Sequence, residues 1–328
     1  MKIENYLKQY QPVCYRVFSN SLQEGRLNHA YLLAGEKGVP LKEIAIFLAK
    51  SIVCDHPSPL ADETCTSCLR IEDGSYTDLI VLDGEEDSIK KDEIVELTES
   101  FSKTSVEAKG VMIYIINLAE NMNPNATNSL LKFLEEPVPG TYAILTTNNS
   151  SKILPTIISR CEVIRLDAMP HEEILKGCKE LGLDEKKSEL LSFFYGAPEL
   201  IQDKLNDEDA EDIPGLLEVV CDALNNNPSK TRFLFQSRID PAWNSKIKAG
   251  ILIDLLIVIY RELLSLSYGF NTGLPSYIDL LKPLVTNSVK LSEQLDFLLK
   301  AKSELETNIN PTLLLDHIII TLTKEDTL

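Results

Sequence analysis

The nine residues from Gly35 to Glu43, GEKGVPLKE, have the composition of a turn that holds phosphate. They follow an apolar run, AYLLA, and precede a helical pattern, EIAIFLAKSIV, so they join a strand to a helix. In a working loop of this kind, glycine N–H groups surround the phosphates, a lysine reaches the β- and γ-phosphates, and a hydroxyl holds Mg²⁺. The chemistry to be considered is therefore nucleotide binding and hydrolysis.

The loop departs from the pattern G-x-x-G-x-G-K-[ST] at three consecutive positions. Aligned on Gly35 and Gly38, the third glycine becomes Pro40, the lysine becomes Leu41 and the hydroxyl residue becomes Lys42. Pro40 lacks an N–H group and restricts the turn, Leu41 has no charge, and Lys42, which has no hydroxyl, would point to another side of the helix. The loop is interpreted as degenerate. The alternative is a slipped loop that binds nucleotide without hydrolysing it.

A second group of reactive side chains is the pair of thiols in Cys65-Thr-Ser-Cys68. Thiolates at this spacing bind zinc or act as a redox pair. A redox pair is less favoured, because this one does not begin a helix that follows a strand. The chain has seven cysteines in 328 residues, and an odd number in a chain of this length does not indicate a disulfide framework.

The elements that would position these residues follow from the apolar pattern. Up to residue 166, continuous apolar runs alternate with amphipathic segments. The runs predict strands at AYLLA (30–34), DLIVLD (78–83), VMIYIIN (111–117), YAILTT (142–147) and CEVIRL (161–166). The amphipathic segments predict helices near 43–53, 89–102 and 124–135. This alternation predicts an α/β domain, 1–166, with a parallel sheet covered on both faces.

Beyond this domain the chain has helical patterns and no strand pattern. They predict a small helical domain at 167–208 and a larger helical domain at 209–328. Residues 203–222 carry eight acids against one lysine, which indicates a solvated linker and helical face. The longest apolar stretch, AGILIDLLIVIYRELLSL, contains three charged residues, so a buried helix is favoured over a membrane span.

Composition and charge exclude several classes of protein. The chain is 44% hydrophobic and 25% charged, as in ordinary globular proteins. The N-terminus, MKIENYLKQY, lacks the apolar segment of a signal peptide, which predicts a cytoplasmic protein. The net charge of −18 argues against tight DNA binding by the chain alone, because affinity for phosphate comes mainly from lysine and arginine.

Three segments resemble the clamp-loader branch of the AAA+ ATPases, and within it the delta-prime family of bacterial DNA polymerase III. They are HAYLLAGEKG, NATNSLLKFLEEP and AILTTNNSSKILPTIISRC, and the matching motifs lie at His29–Leu32, Asn128–Pro137 and Ser159–Cys161. Order and spacing match through about residue 205, whereas the rest matches only in helical character and length. The resemblance implies an AAA+ α/β domain with a Cys module near 54–71, a helical lid, and a C-terminal helical collar that oligomerises.

The resemblance also assigns positions of the nucleotide site outside the loop. The strand VMIYIIN should end in Asp-Glu, to hold Mg²⁺ and orient water, but it ends in Asn117 and Leu118. Asn148 stands at the position of the family's polar sensor of the γ-phosphate. Without a working loop, Asn148 is better interpreted as a strand-end or turn residue. Because both halves of the site are altered, we expect no intrinsic ATP hydrolysis and no ATP bound at this site.

The zinc module of the family is represented by an altered ligand set. Family subunits carry four cysteines there, and Cys54, Cys65 and Cys68 fill three of these positions while Asp62 stands at the fourth. A carboxylate oxygen also binds zinc, and His56 is another possible fourth ligand. The other hypothesis is a module that folds without metal.

The SRC motif places Arg160 where the family has an arginine finger, a residue that acts in trans on the γ-phosphate of a neighbouring subunit. Arginine suits this role because its charge is permanent and its planar fork matches phosphate oxygens. The alternative is an arginine that caps the domain edge or pairs with Glu162. The implied partners are gamma/tau-type ATPase subunits and the delta subunit, with the sliding clamp and primer-template DNA contacted through the assembled complex.

These observations predict a non-hydrolysing delta-prime-like subunit that supports sliding-clamp loading in DNA replication. One alternative is a gamma/tau-type ATPase, against which Leu41, Lys42 and Asn117 argue. Another is an unrelated scaffold that reuses the AAA+ fold, which a lack of binding to gamma/tau subunits would favour.

Overall fold

The computed structural model describes residues 3–85, 88–101, 105–107, 109–207, 212–243, 245–305 and 309–323. The chain divides into two compact units. The first comprises the residues up to His171 together with Tyr195–Glu199, and the second comprises Glu172–Phe194 and the residues from Leu200 onward. The boundary expected at residue 166 remains a prediction. The expected boundary between lid and collar, at 208 and 209, lies outside the described residues and remains a prediction.

The first unit is built on a parallel sheet of five strands. They are β1 (Ala30–Gly35), β2 (Leu79–Asp83), β3 (Met112–Asn117), β4 (Thr141–Thr147) and β5 (Glu162–Leu166). Their order across the sheet is β2-β3-β4-β1-β5, and every pair is parallel. All five predicted strands are confirmed, each to within one residue at either end.

Helices connect the strands and make up most of the remaining chain. Those of the first unit are α1 (Ile3–Tyr10), α2 (Pro12–Gln23), α3 (Leu41–Val53), α4 (Thr66–Glu72), α5 (Lys91–Phe101), α6 (Pro124–Glu135) and α7 (Pro155–Ile158). Those that follow are α8 (His171–Glu180), α9 (Glu185–Leu191), α10 (Pro198–Asn206), α11 (Ile213–Leu224), α12 (Pro228–Leu234), α13 (Asp240–Trp243), α14 (Lys246–Ser267), α15 (Ile278–Leu281), α16 (Ser288–Leu305) and α17 (Pro311–Leu322). The helices predicted near 43–53, 89–102 and 124–135 correspond to α3, α5 and α6, with residue 102 outside the described residues.

The sheet is buried on both faces. One core cluster contains Leu32 of β1 together with side chains of α5 and α6, such as Leu97 and Leu130. Tyr31 and Leu33 are also fully buried, and they point to the opposite face because successive strand side chains alternate. Helix α3 packs against β1, β3 and β4. This is the doubly covered sheet that continuous apolar strands predict.

The long apolar stretch of the second unit is helix α14, which packs against α16 and α17. Its charged residues have partners within the unit. Glu262, 5% exposed, accepts hydrogen bonds from Thr272 Oγ1 at 2.8 Å and from Gly273 N at 2.6 Å. Asp254 pairs with Lys302. Among the described residues, no helix is long and apolar enough to cross a membrane.

Candidate functional site

The carboxyl ends of strands β1 to β4 bring the predicted nucleotide-site residues together at one end of the sheet. Asp83, the last residue of β2, lies opposite Asn117, the last residue of β3. Ala34 of β1 lies opposite Thr147 of β4, so the loop after β1 lies beside the segment that contains Asn148. Ligands of open parallel sheets bind outside this edge. The geometry therefore joins both halves of the predicted site.

The backbone of the loop uses its own N–H groups. Val39 N donates to Glu36 O at 3.1 Å, and Leu41 N donates to Val39 O at 2.7 Å. Pro40, between them, has no N–H group. The side chain of Leu41 is only 4% exposed, so it forms part of the core instead of reaching outward. None of the three consecutive positions 39–41 offers a free N–H group to a phosphate.

The carbonyl groups of the loop are held by donors from the same unit. Gly38 O accepts a hydrogen bond from Gly196 N at 2.8 Å. This approach requires glycine, because a Cβ atom at Gly196 would lie 2.5 Å from Gly38 O. With its side-chain nitrogen turned toward the loop, Asn148 donates to Gly35 O at 3.2 Å and to Glu36 O at 3.3 Å. At the predicted sensor position, the side chain thus contacts the loop backbone.

A network of side chains occupies the edge where Mg²⁺ and phosphate would be expected. Lys42 forms an ion pair with Asp83. Asn117, 4% exposed, donates from Nδ2 to Asp83 Oδ1 at 2.8 Å and accepts from Thr146 Oγ1 at 2.7 Å. Thr146 Oγ1 in turn accepts from Leu118 N at 2.9 Å. Each member of the network is satisfied by another group of the chain.

The electrostatics of this network favour its charged form. Burial alone would raise the pKa of Asp83, but hydrogen bonds from Lys42 and Asn117 outweigh burial and hold that pKa below its usual range. The hydrogen bond to Asp83 raises the pKa of Lys42. Both groups are therefore ionised at neutral pH, and the Asp83 carboxylate neutralises the charge of Lys42.

Arg160 lies just before β5 with its side chain 30% exposed. Its Nη2 donates to Glu135 Oε1 at 2.6 Å, and its Nη1 donates to Thr156 O at 2.7 Å. Glu162, the partner considered from the sequence, instead accepts a hydrogen bond from Asn28. Arg160 is therefore paired, but with Glu135 of α6 instead of Glu162.

The predicted metal ligands come together between α3 and α4. The ligand atoms of Cys54, Asp62, Cys65 and Cys68 all lie within 4.8 Å of one another. Cys54 Sγ is 3.4 Å from Asp62 Oδ1 and 3.9 Å from Cys65 Sγ. Zinc–sulfur bonds of about 2.3 Å in a tetrahedron place two sulfurs about 3.8 Å apart. The donor set fits zinc. His56 is exposed and is not part of this cluster.

The backbone around the cluster orients its ligands. Thr64 N and Cys65 N donate to Asp62 Oδ1 at 3.0 and 3.1 Å, and Asp62 N lies 3.5 Å from Cys54 Sγ. These backbone hydrogen bonds hold the pKa of Asp62 well below its usual range. Burial raises the pKa of Cys54 and of Cys68. Metal binding would therefore release protons from the thiols, since zinc takes the thiolate.

Three basic side chains near these sites have partners that were not predicted from the sequence. Lys42 pairs with Asp83, and Arg160 pairs with Glu135. The buried Lys50 of α3 pairs with Glu63 at 3.2 Å and also with Glu72. The role of Asp83 could have been predicted, because polar residues at the carboxyl ends of parallel strands lie close together at one end of the sheet. For Glu135 and Lys50 we find no local signal.

Comparison with known proteins identifies the family. The model of the family described as DNA polymerase III, delta subunit, matches residues 10–170. DNA polymerase III subunit delta' of Bacillus subtilis (strain 168) is 33% identical over 322 residues, which cover 96% of this chain and 97% of that protein. The chain belongs to the delta-prime family of DNA polymerase III.

Relatives of this delta-prime chain extend to other clamp-loader subunits. DNA polymerase III subunit gamma of Buchnera aphidicola subsp. Acyrthosiphon pisum (strain APS) is 28% identical, over 88% of this chain and 87% of that protein. A solved structure, that of a gamma subunit-related protein of Thermotoga maritima, covers 94% of this chain and 96% of its own at 20% identity, with a TM-score of 0.51. The fold is that of the AAA+ clamp-loader subunits.

Proposed function

We propose that the chain is a delta-prime-type subunit of a bacterial clamp loader that does not hydrolyse ATP and that supplies Arg160 to a neighbouring ATPase subunit. The observation that carries the proposal is the network of Lys42, Asp83 and Asn117. Groups that a nucleotide site would direct at phosphate and Mg²⁺ compensate each other within the chain. The altered site and the exposed arginine lie in the same unit.

Binding of a triphosphate at the degenerate loop would disrupt several contacts at once. Lys42 would have to leave Asp83, and the carboxylate would then face a second anion. The N–H groups of Val39 and Leu41 would have to turn outward, although Pro40 between them has none to offer. Asn117 also cannot provide the carboxylate that a Mg²⁺ ion prefers at that position.

Arg160 has the chemistry for a role in trans. Its charge is independent of pH, and its fork can bind two phosphate oxygens at once. The partners in this proposal are gamma/tau-type ATPase subunits and the delta subunit, and the sliding clamp and primer-template DNA are contacted through the assembled complex. The subunit would complete a neighbour's active site without having one of its own.

A structural zinc ion fits this proposal. Cys54, Asp62, Cys65 and Cys68 would hold it. Zinc bound there would crosslink the end of α3 to the start of α4 and would have no catalytic role.

A gamma/tau-type ATPase is the second candidate, and the 28% identity to a gamma subunit favours it. Steady-state phosphate release by the isolated chain separates the two functions. We expect none above background. Turnover that disappears on mutation of residues 35–42 would establish the ATPase instead.

The role of Arg160 is tested in a reconstituted loader. Arg160→Ala should leave assembly intact and lower the ATPase rate stimulated by DNA and clamp. Arginine fingers contribute about 10³–10⁵ in rate where they act, but only the interface that faces this subunit is affected, so the loss per complex is partial. Arg160→Lys should rescue poorly, because an ammonium group lacks the planar fork.

Arg165→Ala is the matched control, since Arg165 is an exposed arginine on β5 of the same unit. It should leave the stimulated rate unchanged. An unchanged rate in an intact Arg160→Ala complex would rule out the finger, and loss of assembly would favour the structural alternative, in which Arg160 holds the domain edge. Failure of the wild-type chain to bind gamma/tau subunits would contradict the proposed role in a clamp loader.

A further inference from the structure

The ion pair between Arg160 and Glu135 joins the exposed arginine to a different part of the first unit. The two residues are 25 apart in the chain, and Nη2 lies 2.6 Å from Oε1. That distance is typical of a charge-assisted hydrogen bond. The side chains are 30% and 50% exposed, so the pair is accessible to a partner subunit.

The position of Glu135 is not explained by the stability of its helix. Glu135 is the last residue of α6, and Glu136 caps the helix. The carboxyl end of a helix carries partial negative charge, which disfavours acids there. The same helix is anchored by Leu130 and Leu134, which are 0% and 2% exposed. A buried face thus fixes an acid at an unfavourable helix end, where it meets the guanidinium of Arg160.

Both Nη groups of Arg160 already donate a hydrogen bond within the chain. A guanidinium group has five N–H donors, and a bidentate contact uses two of them side by side. Nη1 donates to Thr156 O at 2.7 Å and Nη2 donates to Glu135. Each Nη group carries a second N–H that phosphate oxygens could accept, but a phosphate bound there would lie beside the Glu135 carboxylate. Glu135 and a neighbour's phosphate are both anions, so they compete for the same guanidinium charge.

We propose that Glu135 restrains Arg160 in the resting loader and releases it when a neighbour's triphosphate approaches. This inference rests on the proposed function of Arg160. The carboxylate holds the guanidinium and neutralises its charge until a group of higher negative charge displaces it. Ion pairs that are this exposed shift equilibria by only about two- to fivefold. The restraint is thus weak enough for the triphosphate to overcome.

The test is a loader reconstituted with Glu135→Gln, assayed for ATPase over a range of ATP concentrations, with and without clamp and primer-template DNA. The variant should raise the unstimulated rate and lower KM for ATP, each by up to about two- to fivefold. The stimulated kcat should not change, because the finger is already released in that state. Glu136→Gln, which removes the neighbouring acid, is the matched control and should behave as wild type.

Two further variants separate the restraint from the finger itself. Glu135→Ala, which removes the carboxylate without adding an amide, must change the unstimulated rate in the same direction. In an Arg160→Ala background, Glu135→Gln should have no effect, because the coupling between the residues is lost. If Arg160→Ala alone has no effect, the proposed function fails. If Arg160→Ala lowers the rate but Glu135→Gln equals wild type or also lowers it, the restraint is refuted.

Discussion

Asn117 changes the chemistry of the sheet edge through a single amide. An aspartate in its place would put a second carboxylate beside Asp83, and two carboxylates at hydrogen-bond distance need a proton or a metal ion between them. The amide instead donates to Asp83 Oδ1 at 2.8 Å. Strands β2 and β3 can therefore end side by side without Mg²⁺ between Asp83 and Asn117. This is consistent with a subunit that does not use its own nucleotide site.

The ion pair of Lys42 and Asp83 predicts a dependence of stability on pH. The pKa of Asp83 lies below its unfolded value of about 3.9, so the pair stabilises the fold above that pH and is lost as pH falls through the folded pKa. Lys42→Met should lower the free energy of unfolding at pH 7 by about 1 kcal/mol, since the pair is partly exposed. Urea denaturation from pH 7 downward measures both effects.

Lys90→Met is the control for this experiment, because it removes the same charge from an exposed position. Lys90→Met should change the free energy of unfolding little, both at pH 7 and at acidic pH. The difference between wild type and Lys42→Met should narrow below about pH 4, as Asp83 is protonated. A difference that stays constant down to pH 3 would mean that Lys42 contributes through packing instead of charge.

The sequence predicts which residues belong to a site, but it does not predict which residues they pair with. Arg160 and the metal-ligand candidates could be predicted because their motifs are local. Glu162 was a possible partner of Arg160 from the sequence, whereas the partner is Glu135. Proximity in sequence favours Glu162, but Arg160 precedes β5, and Glu162 accepts a hydrogen bond from Asn28 instead. Contacts between distant elements depend on packing that residue types alone do not specify.

Elements with a strong apolar pattern are the most predictable part of the fold. Five continuous apolar runs give five strands, because buried parallel strands exclude polar residues. Helices of the first unit that were not predicted include α1 (Ile3–Tyr10), α2 (Pro12–Gln23) and α4 (Thr66–Glu72). For α2 a signal was present, since Pro12 stands at the first helical position, which proline favours. The seven-residue α4 is too short to have a clear period.

The segment that joins α3 to α4 is predicted to bind zinc. Protein prepared without chelators should contain one zinc ion per chain, and elemental analysis measures it. Asp62→Ala should weaken zinc retention because one of four ligands is lost, and Asp62→Cys should strengthen it because thiolates dominate structural sites. Removal of zinc by a chelator should lower the melting temperature, since metal binding and folding are coupled.

Two controls make the metal experiment specific. His56→Ala should retain zinc, because His56 is exposed and outside the cluster. Cys161→Ala should also retain it, because Cys161 lies beside β5, away from the ligands. Zinc-free protein from a chelator-free preparation would favour the module that folds without metal, and loss of zinc in His56→Ala would point to the other predicted ligand set.

At the scale of the whole molecule, charge is the property that bears most directly on function. The chain has 50 acidic and 32 basic residues, and its net charge is −18. Several of the basic side chains in the described residues are paired with acids, including those of Lys42, Lys50 and Arg160. Acids outnumber bases by 18 in the whole chain, so we expect DNA contact to come mainly from other subunits of the proposed complex.

The isolated chain should therefore bind primer-template DNA weakly. Non-specific binding by ordinary DNA-binding proteins has dissociation constants of about 10⁻⁴–10⁻⁶ M at physiological salt. For this chain we expect a value weaker than about 10⁻⁴ M, and any binding at 50 mM salt should decline steeply by about 200 mM, because it depends on release of counterions. Fluorescence anisotropy with labelled duplex measures both, with the reconstituted loader as positive control. A dissociation constant below about 10⁻⁶ M for the chain alone at physiological salt would reveal a basic surface despite the net charge of −18, and it would assign DNA contact to this subunit.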